Sequence, residues 1–214
     1  MNWNNISNKV RSIAIVGNPE SGKTSLSYHI LESFNNGVYV YRHPNMEIIK
    51  ERGFYPLNSL ERLEGIGNCV LWIDEPQLHF PVGQNKANHK LTKGLSIGRH
   101  RNITIILTTN DTRWITRGME SYIDVWCVKD LEYELIKQGS MIKKIIKDNT
   151  IIDPCGFCLE QNEYLFHSRN FNEYNGRHTF NMPLYFNEDY SKPFSLKTTT
   201  KTPTKSAKLI AIER

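Results

Sequence analysis

The sequence predicts one α/β domain built on a mainly parallel sheet, and three observations carry that expectation. Short apolar runs alternate with helical patterns, a glycine-rich loop directly follows the first run, and 214 residues fit one such domain with short extensions. A hydrophobic content of 39% suffices for a core and a charged fraction of 23% is ordinary, so neither disorder nor a fibrous repeat is indicated. Five runs read as strands: Ile13 to Val16, Val38 to Tyr41, Cys69 to Ile73, Ile103 to Leu107 and Ile123 to Val128. Each is short, largely apolar and mostly rich in β-branched or aromatic residues, which suits strands covered on both faces. Between the first two, Leu26, Ile30 and Phe34 recur at helical spacing and Asn36-Gly37 supplies a stop, so that segment reads as a helix. Helices are also expected over residues 58–65, 85–100 and 130–147. Ligands of such sheets sit beyond the carboxyl ends of the strands, and the motifs fall there.

The first motif is Gly17-Asn18-Pro19-Glu20-Ser21-Gly22-Lys23-Thr24, followed by Ser25. It satisfies the G-x-x-x-x-G-K-[ST] phosphate loop between an apolar strand and a helix. Its glycines let the loop curl so that backbone N–H groups and the helix N-terminus face an anion, where the macrodipole favours negative charge. Lys23 is expected to bridge the β- and γ-phosphates of ATP, and Thr24 to place its hydroxyl on Mg²⁺. The second motif is Cys69-Val-Leu-Trp-Ile-Asp74-Glu75, an apolar strand ending in two acids. Asp74 suits the Mg²⁺ shell, and Glu75 can polarise an attacking water. In the third, Arg99-His100-Arg101-Asn102 leads into the fourth strand, which ends in Thr108-Thr109-Asn110-Asp111. Asn110 can hydrogen-bond the lytic water or the γ-phosphate. Arg99 lies at the far end of the sheet from its own phosphates. It is read either as an arginine finger offered to a neighbouring subunit or as a solvated residue at a helix C-terminus.

Asp74-Glu75 followed by His79-Phe80, then Arg99-His100 and the segment Ile105 to Asn110, resembles the FtsK/HerA superfamily, in particular genome-packaging ATPases of membrane-containing icosahedral and archaeal turreted viruses. The resemblance spans roughly residues 11–130. It implies a RecA-like domain of the additional-strand class with sheet order 5-1-4-3-2, a homo-oligomeric ring, translocation of double-stranded DNA and an arginine finger near Arg99. It also implies capsid or membrane-vertex partners and residence in the host cytoplasm or virion. Family members commonly read Thr-Gln at the sensor, where this chain has Thr109-Asn110.

Beyond residue 130 the pattern is weaker. Apolar flanks around Asn162-Glu163 suggest a β-hairpin with its turn there, and the aromatic residues of 164–194 read as core, or as a face toward DNA or a neighbour. Cys69 and Cys127 fall in buried-strand candidates. Cys155-Gly-Phe-Cys158 reads as a structural turn, a disulfide or half of a metal site with His167. The net charge of +5 resides in residues 191–214, with six basic residues and one acid, against 21 of each sign elsewhere. Residues 1–190 are thus the expected domain and 191–214 a basic tail, either solubilising or lying on phosphates. No apolar run approaches membrane-helix length and the first residues lack a secretory pattern, so an unsecreted, membrane-independent chain is expected. A nucleotide or nucleoside kinase would need an acceptor site and an arginine-rich lid, and neither can be placed. A GTP switch would need a guanine-reading acid that Asn85-Lys86-Ala87-Asn88 lacks. An assembly factor that uses ATP as a clamp stays open.

Overall fold

The computed structural model describes residues 2–80, 85–115, 117–131, 140–149 and 159–186. Along β1 (Ser12–Val16) every residue is buried, with Ile13 and Ile15 facing one layer and Ala14 and Val16 the other. This is the signature of a strand covered on both faces. The elements that follow are α1 (Lys23–Leu31), β2 (Gly37–Tyr41), α2 (Met46–Glu51), β3 (Tyr55–Leu57), β4 (Cys69–Asp74), α3 (Asn85–His100), β5 (Thr104–Thr109), α4 (Arg117–Glu120), β6 (Val125–Val128), α5 (Ser140–Asn149), β7 (Glu163–Ser168) and β8 (Gly176–Thr179). Among the described residues they form one sheet of order β3-β2-β4-β5-β1-β6-β7-β8. The strands from β3 to β6 pair in parallel, and β7 and β8 pair antiparallel.

The five expected runs occupy β2-β4-β5-β1-β6, but the sheet is larger than the five-stranded order implied. It gains β3 at one edge and the β7–β8 pair at the other, so the full order differs. Pro56 explains why β3 escaped notice, since a three-residue strand with no N–H at its centre is tolerated only at an edge. The hairpin was misplaced. Its turn is not Asn162-Glu163, where β7 begins, but residues 169–175, where the Asn175 side chain accepts from Ser168 N at 2.7 Å and donates to Ser168 O at 3.2 Å. The helix expected over 130–147 is described only as α5, and Asp130 belongs instead to the exit of β6. Residues 58–65 give a 3-10 helix, Leu60–Gly65. Helix α2 was not anticipated, although the Asn45 side chain caps it by accepting from Ile48 N at 3.3 Å.

One face of the sheet is packed by Leu91 of α3, Met119 of α4 and Ile142, Ile145 and Ile146 of α5. The other is packed by Leu26 and Ile30 of α1, Ile48 and Ile49 of α2 and an N-terminal segment carrying Trp3, Ile6 and Val10. Tyr164, Phe166, Phe171 and Phe180 are also buried in that second layer, so these aromatic residues are core. Cys69 and Cys127 are buried free thiols, and burial pushes the Cys69 thiol up to about 11. The Cys155/Cys158 pair and residues 187–214, with the basic tail, lie outside the described residues. Among the described residues no helix is long and apolar enough to cross a membrane.

Candidate active site

The parallel strands carry their carboxyl ends to one edge, and three of them converge on the phosphate loop. Where β1 ends, Gly17 N donates to Thr109 O of β5 at 3.3 Å and Asn18 N donates to Asp130 O beyond β6 at 2.7 Å. A side chain at Gly17 would put its Cβ 2.6 Å from Lys129 Cβ and 2.7 Å from Ser21 Oγ, so only glycine permits this approach. Gly22, the residue before α1, has φ +88°, and a Cβ there would lie 2.6 Å from the Gln161 carbonyl oxygen. Ser25 Oγ donates to Gly22 O at 2.8 Å, bracing the first turn of α1. Thr24 is half-buried beside it.

Lys23 is 6% exposed, and its Nζ donates to Asn18 O at 2.6 Å across the loop. Burial lowers the ammonium's pKa, while the carboxylates of Glu75 and Asp74 raise it in return. Asp74 ends β4 opposite Thr108 of β5 and is buried. Its carboxyl is pushed up to about 7 by burial and then by Glu75, with Lys23 pulling the other way. Glu75 N donates to Thr108 O at 2.9 Å, which holds this residue in left-handed geometry (φ 46°, ψ 57°) immediately before Pro76. A non-glycine residue in that region costs roughly 1–3 kcal/mol and persists where its surroundings over-determine it. Burial raises the Glu75 carboxyl, and a hydrogen bond from Gln77 opposes the shift.

Gln77 is a site residue that the motifs did not point to. Its Nε2 donates to Glu75 Oε2 and, at 3.0 Å, to Asn110 Oδ1, and its Oε1 accepts from Thr109 Oγ1 at 2.8 Å. Asn110 therefore does stand beside Glu75. The available signal was Pro76, which forces a tight turn and brings the side chain two residues after Glu75 back toward it. Lys129 was missed as well. It is fully buried at the end of β6, and its Nζ donates to the carbonyls of Gln161 (2.7 Å), Glu160 (3.4 Å) and Glu163. Burial draws its pKa down to about 8. Gln161 Nε2 in turn donates to Glu20 O at 3.3 Å, so the strand-entry turn at 160–163 is fastened across the phosphate loop.

Arg99 lies at the other end of the sheet. Its Nη2 donates to Asp124 Oδ1 at 2.9 Å and to Tyr122 O at 3.1 Å, and its side chain stays 42% exposed. The arrangement is that of an exposed arginine anchored within its own chain, far from its own loop.

The cradle fits a polyphosphate. Ser21 Oγ is buried without a hydrogen-bond partner, the loop glycines clear space at the helix start, and Lys23 supplies a buried cation. It also fits a hard cation shared with that polyphosphate. The available donors, the Thr24 hydroxyl and the Asp74 carboxylate, are oxygens, and among the described residues no cluster of three or more His, Cys, Asp or Glu could hold a metal without the ligand's help.

No protein-family model and no curated protein sequence matches the chain. Solved structures do resemble it. The genome-packaging NTPase B204 from Sulfolobus turreted icosahedral virus 2, in complex with AMP, superposes with a TM-score of 0.59 at 17% identity, over 82% of this chain and 98% of that one. B204, the DNA-packaging ATPase from Sulfolobus turreted icosahedral virus, gives 0.56 at 16% identity, over 80% and 96%. ATPases 2 and 3 of EssC from Geobacillus thermodenitrificans give 0.55 at 11% identity, over 86% of this chain and 42% of that one. At these identities the likeness is one of architecture, and the chain has the P-loop ATPase fold that these proteins share.

Proposed function

We propose that this protein is an Mg²⁺-dependent ATPase that moves double-stranded DNA, in the manner of a viral genome-packaging motor. The observation that carries the reading is Glu75. A carboxylate held in a strained conformation at the end of β4, beside buried Asp74 and Lys23 and joined through Gln77 to Asn110, supports the reading of a base for water over that of an acceptor-binding group. In this reading the backbone of residues 17–24 and the Lys23 ammonium bind the phosphates, and Ser21 and Ser25 line the same turn. Thr24 and Asp74 would hold Mg²⁺, which would supply positive charge to the phosphates. Glu75 accepts the proton of the attacking water and Asn110 donates to the γ-phosphate.

The fold shared with B204, which is a packaging ATPase, supports the choice of DNA as the track. With that reading go a homo-oligomeric ring and capsid or membrane-vertex partners, in the host cytoplasm or on the virion, as the sequence resemblance implies. Arg99 is assigned to the ring: its Nη2 is committed to Asp124 and Tyr122, while its Nη1 and Nε have no hydrogen-bond partner among the described residues and can face a neighbour. The deciding experiment is ATP turnover with and without double-stranded DNA. Stimulation of several-fold or more is expected, whereas turnover indifferent to DNA would sink the motor reading. Transfer of the γ-phosphate to an added nucleoside instead of water would make the protein a kinase.

A further inference from the structure

Gln77 hydrogen-bonds through both ends of its amide between two strand ends, with both N–H groups donating and the oxygen accepting. The Glu75 carboxylate can only accept, so the Gln77 amide must turn Nε2 toward it, and Oε1 then takes the Thr109 hydroxyl at 2.8 Å in preference to the more distant Asp111 carbonyl at 3.4 Å. That fixes which way the Gln77 amide faces. Its Nε2 must point at Glu75 Oε2 and Asn110 Oδ1, two acceptors that its two N–H bonds can satisfy together. The chain of orientations then reaches Asn110. With Oδ1 turned to Gln77, the Asn110 Nδ2 group is turned away, and it has no hydrogen-bond partner among the described residues. Thr109 is fully buried, so water cannot readily replace it at the head of this chain.

We propose that Gln77 is the positioning residue of hydrolysis: through one amide it turns the Asn110 Nδ2 donor toward the bound anion and holds the Glu75 carboxylate by Oε2, leaving Oε1 for the attacking water. Without Gln77, Asn110 can rotate about its Cβ–Cγ bond and present an oxygen to the γ-phosphate, which repels it. Glu75 then keeps the hydrogen bond from the Asn110 backbone N–H, but the two side chains lose the amide that joins them into one preorganised unit. The proposal rests on the ATPase reading above, and its test separates the two.

The variant is Gln77→Met, which keeps the length of the side chain and removes every hydrogen bond. Turnover number should fall about 10²-fold with KM for ATP changed less than about threefold, because the interaction orients groups that act in the transition state. Asn110→Leu, which keeps the size of the side chain and deletes the donor without adding a charge beside the γ-phosphate, should fall comparably. The two changes together should cost little more than either alone, since each disables the same unit. If Glu75→Gln abolishes turnover while Gln77→Met stays within twofold of wild type, or if the two losses multiply, Gln77 is not the positioning residue and the ATPase reading stands. If the wild type shows no turnover at all, the ATPase reading fails, and NMR of side-chain amides judges the geometry alone. The Asn110 NH₂ pair, identified by its loss in Asn110→Leu, should shift in Gln77→Met, and an unmoved pair overturns the proposal.

Discussion

Lys23 shows how a single side chain reads in the sequence and in space. The motif named it, but its burial, and the bond from Nζ to Asn18 O that closes the loop on itself, come only from the fold. Lys23→Ala should abolish turnover and weaken ATP binding, since it removes the only side-chain cation of the loop, and wild-type-like turnover would refute the loop's role. Glu75→Gln should bind ATP with near-native affinity and hydrolyse it at least 10²-fold more slowly, because the amide keeps the shape but accepts no proton. An equal loss of binding would make Glu75 a structural residue. Arg99 calls for a different design, because a half-exposed pair with Asp124 stabilises the fold by no more than about 1 kcal/mol. Arg99→Ala should fold normally and turn over poorly, and mixing it with Glu75→Gln subunits under exchange should restore activity above the average of the two. An arginine finger contributes roughly 10³–10⁵ in rate, so a few repaired interfaces suffice. A mixture that only averages the parents would exclude action in trans. Gln77 carried no comparable signal, because a glutamine after a proline is unremarkable until the turn shows where its amide points.

Among the elements, the parallel strands were legible because each is a continuous apolar run, and α1 because its apolar residues recur at helical spacing. The β7–β8 pair was not placed correctly, since Asn162-Glu163 and the residues after Ser168 are equally good turn formers and tertiary contacts choose between them. Lys129 is one of those contacts. Three carbonyls of the strand-entry turn surround its ammonium, whose pKa burial draws to about 8 from an ordinary 10.5. The sign of the effect follows directly: between those two values the unfolded chain holds a proton that the folded chain has released, so stability rises with pH across that window. The slope is at most about 1.4 kcal/mol per pH unit. Lys129→Met lacks this group, so denaturant unfolding should show wild type gaining on the variant from pH 7.5 to 9.5. A gap independent of pH would mean that the ammonium is solvated.

For the molecule as a whole, acid is the informative stress. His29, His43, His79 and His167 all have pKa values lowered first by burial, so below the ordinary value of 6.5 the unfolded chain binds protons that the folded chain refuses. Stability from these four is complete above that value and is lost as pH falls through their folded values. Asp74 and Glu75 act in the opposite sense, because their carboxyls are raised and the folded state takes up the proton first. An Asp74→Asn/Glu75→Gln variant should therefore lose more stability than wild type between pH 7 and 5, measured by denaturant unfolding, and parallel losses would show that the acids are solvated. The topology has a further consequence, for synthesis. Both neighbours of β1 come from the later part of the chain, with Ser12 paired to Ile105 and Ile13 to Val125. On a ribosome adding about 5–20 residues per second, the Ser12–Val16 segment and the loop behind it emerge unpaired and wait roughly 5–20 s for β5 to follow. A sticky apolar strand held open that long is a target for chaperones that bind nascent chains, and the nucleotide site can close only after β1 is rescued from that wait.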